Sequence, residues 1–74
     1  MAHIGSGLGR AQLFVRSVDE AVDIIAPLGY DGIEFEQRGR DVIATSHNAK
    51  GQRAQAMGHN RVVAAQTLVK VITR

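Results

Sequence analysis

Cysteine and tryptophan are absent from this 74-residue chain, and proline occurs once. Without cysteine there can be no disulfide, thiolate zinc site, iron–sulfur cluster or cysteine nucleophile. Aromatics are nearly missing too: Phe14, Tyr30 and Phe35 are the whole set, so the core must be aliphatic. No apolar run reaches the roughly 20 residues that cross a bilayer. The glycine-rich start, Met1 to Gly9, is not apolar enough for a secretory signal. The expected location is cytoplasmic. The most informative absence is that of carboxylates after Asp41. The last 33 residues hold Lys50, Arg53, Arg61, Lys70 and Arg74 without one Asp or Glu. Net charge is only +2, so attraction to an anionic partner must come from how the charge is distributed.

Enough remains to build one domain. An apolar share of 45% with 22% charged residues suits a folded chain and argues against disorder. Residues 1–10 read as a flexible leader and 11–74 as a single small α+β domain. At this size the core is thin, and a homodimer that buries one more face is the natural remedy.

Ser17 with Glu20 three residues on marks a helix start. Val18, Ala21, Val22, Ile25 and Leu28 follow at helical spacing. Pro27 limits that helix near Ala26, and Gly29 stops it. Ile33 and Phe35 alternate with Glu34 and Glu36 as in a strand with one buried face. A turn at 38–40 and the run Val42-Ile43-Ala44-Thr45 complete a hairpin. Asn48-Ala49-Lys50-Gly51 is suited to a second tight reversal, and Gly51 and Gly58 cut residues 52–57 to strand length. Asn60 caps a last helix from Arg61 onward.

The order is α-β-β-β-α: a three-stranded antiparallel meander with two helices on one face. Residues 11–16 offer an extra amino-terminal strand. A period-2 reading of Val63, Ala65, Thr67, Val69 and Val71 competes with the last helix. If 47–57 were helical and 61–73 extended, the fold would be ferredoxin-like βαββαβ.

The stretch Gly58-His-Asn-Arg-Val-Val-Ala64-Ala-Gln-Thr67-Leu68-Val-Lys-Val71-Ile72 resembles the carboxy-terminal signature of double-stranded RNA-binding domains. Asn60 stands at the small polar position, Arg61 at the first basic one, and Ala64 and Leu68 on the packed face. Val62 and Val63 replace further basic residues, and the first hairpin turn is shorter than the family's groove-entering loop. The resemblance implies a dsRBD-like fold and RNA as partner.

In a meander the 38–40 turn and the start of the last helix share one end of the sheet. Arg38, Arg40, His59, Asn60 and Arg61 are therefore the candidate phosphate contacts, with Arg53 extending the patch. Arg61 is a cation at the positive end of a helix dipole, which favours an anion nearby. Lys70 and Arg74 sit where the dipole favours cations, a structural role. Lys50 reads as a hairpin-tip residue. His3, His47 and His59 lack metal-ligand spacing; no metal, cofactor or membrane is expected. The sequence thus points to a non-enzymatic nucleic-acid-binding module, for RNA before DNA. A protein-interaction or assembly module is the rival reading. A toxin-type ribonuclease using His47 and His59 stands third, because those residues belong to opposite ends of the meander.

Overall fold

Local capping chemistry sets where the first helix begins. In a computed structural model that describes residues 15–74, α1 spans Val18–Ile25. The Ser17 hydroxyl accepts from the Glu20 amide at 3.2 Å, and the Glu20 carboxylate accepts from the Arg16 amide at 2.7 Å. The reciprocal bond therefore reaches one residue further back than a strict capping box. Ala21 and Ile25 are fully buried, while Asp19, Glu20 and Asp23 are exposed. A single 3-10 turn, Ala26–Leu28, carries Pro27 at its start, and Gly29 ends it. The Tyr30 amide then returns to the Ile25 carbonyl at 3.2 Å, satisfying an orphan acceptor in the manner of a Schellman ending. The strand expected at 11–16 lies mostly outside the described residues; Val15 and Arg16 are not in a strand.

Three strands follow: β1 (Glu34–Arg38), β2 (Asp41–His47) and β3 (Arg53–Gly58). They pair antiparallel in the order β1-β2-β3. Arg38 faces Asp41 across the first turn, so that turn is confined to Gly39 and Arg40. The second reversal is the one expected from Asn48-Ala49-Lys50-Gly51. The Asn48 side-chain oxygen accepts from the amides of Lys50 and Gln52, at 3.0 and 2.9 Å. Gly51, at φ 83°, takes the left-handed conformation that closes such a hairpin.

Helix α2 runs Arg61–Thr73, capped by Asn60, whose side chain accepts from the Val63 amide at 2.8 Å. Residues 53–58 are thus extended and 61–73 helical, which rules out the ferredoxin-like alternative. The fold is the α-β-β-β-α two-layer arrangement.

Side-chain size explains how α2 lies so close to the sheet. Alternation gives the covered face Val42, Ala44 and Ser46 from β2, and Ala54, Ala56 and Gly58 from β3. A Cβ on Gly58 would stand 2.4 Å from the Ala64 nitrogen, so only glycine allows the chain to pass from β3 into α2 here. One buried cluster joins sheet to helix: Val42, Ala44, Ala54, Ala64 and Leu68. A second joins the helices: Val15, Ala21, Ile25, Ala65 and Val69. Tyr30, Ile33, Phe35 and Ile72 pack against both. Ser46 is the one buried polar residue among those described, and its hydroxyl donates to the Gly32 carbonyl. No helix among the described residues is long and apolar enough to cross a membrane.

Candidate nucleic-acid interface

The meander brings two cation-bearing segments to one end of the sheet. Val42 pairs with Gly58, so Arg40, two residues before Val42, and Asn60, two residues after Gly58, both lie just beyond that rung. Arg38 closes the same end opposite Asp41. Arg38, Arg40, His59, Asn60 and Arg61 are all exposed. The turn that carries Arg40 is braced from inside β1: the Gln37 side-chain amide donates to the carbonyls of Gly39 and Asp41, at 2.9 and 3.2 Å.

Within this group the side chains divide by face. Phe35 packs with the helices, so alternation along β1 sends Glu36 and Arg38 to the uncovered face. There Arg38 donates to Glu36 at 3.3 Å, with both side chains more than half exposed. A pair so exposed contributes little to stability. Arg61 belongs to the other face. Its guanidinium lies over the Phe35 ring, 5.6 Å from the centroid, a cation–π arrangement that orders the side chain while its N–H edge stays available. Sequence periodicity did not reveal this contact, because Phe35 and Arg61 lie far apart in the chain.

The start of α2 adds backbone donors. Asn60 occupies the Val63 amide, whereas the amides of Arg61 and Val62, in the first turn, have no intrahelical acceptor. Arg38–Glu36 is the single ion pair among the described residues; Arg40 and Arg61 have no carboxylate within ion-pair distance there. What the arrangement offers is a cation over a ring, free helix amides, and a second cation on a braced turn. That is a donor set for an anionic oxygen.

Arg53 does not join this group. It opens β3 opposite His47, beside the Asn48–Gly51 reversal. Gly58 is five residues further along the strand, about 17 Å at the usual rise. Its side chain shares the uncovered face with Gln55 and Met57. Arg53, His47 and Lys50 thus mark the opposite end of the sheet. His47 and His59 are likewise at opposite ends, too far apart to share a proton-transfer site. No group of three His, Asp or Glu residues able to hold a metal occurs among the described residues. Compared with known proteins, the chain matches no family model, no curated protein and no solved structure.

Proposed function

We propose that this protein is a small non-enzymatic nucleic-acid-binding module that grips backbone phosphates at the end of the sheet where α2 begins. The observation that carries this reading is Arg61: a cation at the positive end of a helix, stacked on Phe35, with no carboxylate within ion-pair distance among the described residues. Placed there it raises the local positive potential instead of complementing the dipole, and a phosphate removes that penalty. Arg40, His59, Asn60 and the free amides of Arg61 and Val62 complete the contact set. Arg38 reaches in from the uncovered face by exchanging Glu36 for phosphate. Arg53 takes no part in this grip. The likeness of Gly58–Ile72 to the closing helix of double-stranded RNA-binding domains favours duplex RNA over DNA.

The test is titration of labelled duplex RNA and duplex DNA over a salt series. Affinity should fall steeply with salt, as counterion release requires. Arg61→Ala and Arg40→Ala should each weaken binding roughly tenfold and lower the salt slope by about 1, whereas Lys70→Ala should change little. Absence of binding at low salt, or binding indifferent to both arginine substitutions, rejects the reading.

A further inference from the structure

Among the described residues, the two edges of the sheet differ in what they leave unpaired. The Asn48 amide donates to the Gln52 carbonyl at 3.0 Å, so this pair is a hydrogen-bonded rung between β2 and β3. Hydrogen-bonded and non-bonded rungs alternate in an antiparallel pair. It follows that Ala54, Ala56 and Gly58 direct their backbone groups to β2. Arg53, Gln55 and Met57 direct theirs outward. The same alternation on β1 turns outward only Phe35 and Gln37. That edge is also bordered by Glu34, Glu36 and Arg38, the charged pattern by which natural sheets protect an edge strand. β3 has no proline and no carboxylate, and Arg53 is its one charge.

Above the β3 edge the described surface of α2 carries no carboxylate, and after Arg61 its cations, Lys70 and Arg74, come only in and after the last turn. Val63, Thr67 and Val71 recur on one flank of α2, opposite the side where Ala65 and Val69 pack on α1. Val63 is the residue of α2 whose side chain lies against Gly58, which identifies this flank as the one toward β3. All three are small or β-branched. Below the edge, Met57 is 52% exposed beside a shallow hollow lined by Ile43, Gln55 and Ala56.

We infer that the β3 edge is a self-association surface, pairing antiparallel with β3 of a second copy about a two-fold axis at Gln55. A two-fold axis normal to the sheet keeps the helices of both copies on one side. Residues that face one another must then share a face of the strand. In the register with Gln55 opposite Gln55, Arg53 lies opposite Met57 of the second copy. Within the strand this register alone lets Arg53, Gln55 and Met57 exchange both of their backbone bonds with the same three residues of the partner. It also separates the two arginines: each lays its aliphatic stem along a methionine, and no like charges meet. The uncharged Val63–Thr67–Val71 flanks of the two α2 helices come side by side above the seam, and their small side chains permit close approach. The occupant is therefore a second copy of this chain. A small domain whose largest fully buried side chains, among the described residues, are Ile25, Leu68, Val15 and Val69 gains additional buried surface from it.

The test is the mass of the full chain, free of nucleic acid, by sedimentation over a concentration series. Wild type should shift from monomer to dimer as concentration rises. Gln55→Lys places two ammonium groups face to face on the axis and should weaken the dimer by at least about tenfold. The Gln55 side chain makes only an exposed bond to Thr45, so the circular dichroism of the variant should match wild type. Met57→Lys should weaken the dimer by opposing Arg53 of the second copy. Met57→Glu, which gives that arginine a carboxylate, should preserve or strengthen it. A wild-type mass that stays monomeric at every concentration overturns the inference. So does a dimer that ignores Gln55→Lys, or one that responds alike to Met57→Lys and Met57→Glu. None of these outcomes depends on the phosphate site at the end of the sheet.

Discussion

The two helices solve different problems, and their sequences show it. Among the described residues helix α1 packs chiefly on α2, so one apolar stripe suffices and its outer face is finished with Asp19, Glu20 and Asp23. Helix α2 is covered on two sides: Ala64 and Leu68 face the sheet while Ala65 and Val69 face α1. Among its thirteen residues only Arg61 and Lys70 are exposed. A helix shared by two layers cannot be cleanly amphipathic. Its remaining flank, Val63, Thr67 and Val71, has no acidic finish like that of α1, which is why that flank draws attention as a contact surface.

The sharpest way to break the comparison is to cut the centre of α2. Leu68→Ala removes a fully buried side chain and should cost about 2–5 kcal/mol. In a domain this small that should leave much of the chain unfolded at 25 °C, read by urea melts followed by circular dichroism. Overfilling the contact between the helices should hurt less. Ala21→Leu at a fully buried position should cost about 1–3 kcal/mol. It should move the amide resonances of α1 and Val69 more than those of β2 and β3, because Ala21 belongs to the helix–helix cluster and not to the sheet cluster. Equal shifts throughout the sheet would deny that the two clusters are separable.

The caps give a finer contrast. Asn60→Ala should cost about 1 kcal/mol, since it orphans the Val63 amide at the start of the central helix. Ser17→Ala should cost less, because its bond to Glu20 is longer and Glu20 holds the entering chain through Arg16 as well. Smallest of all, Asp23→Asn on the solvated face of α1 should stay within about 0.5 kcal/mol of wild type. A larger effect there would mean that the acidic face of α1 is itself engaged.

Much of the fold is legible in single residues with local consequences. Ser17, Gly29, Asn48, Gly51 and Asn60 each close or open an element by bonding within a few positions, so their meaning survives without tertiary knowledge. The last helix was harder to read. Its double burial blurs the helical period until Val63, Ala65, Thr67, Val69 and Val71 alternate almost as a strand would, and the cap at Asn60, the Ala64-Ala65 pair and the length of the run tip the balance to helix.

The candidate site was half legible. Meander topology brings Arg38, Arg40, His59, Asn60 and Arg61 to one end, and that follows from element order alone. The face on which each side chain emerges does not. Arg38 and Arg61 part because β1 alternates about Phe35 and because Arg61 points from the sheetward side of α2. Arg53 belongs with the hairpin because the β2–β3 register sets it opposite His47. Ser46 gave no signal either: a serine in a run of branched residues looks like a surface position until Gly32 is found beside it.

The sequence by itself determined the first helix, the first hairpin, the tight reversals and the acid-free second half, because capping, turn formation and periodicity act over a few neighbouring residues. Only the tertiary structure decided that Arg61 rests on Phe35, that Arg53 stands at the far end, and that β3 turns the backbone groups of Arg53, Gln55 and Met57 away from the sheet. Those outcomes depend on strand register and on which helix side meets the sheet, and both are set by contacts between residues distant in the chain.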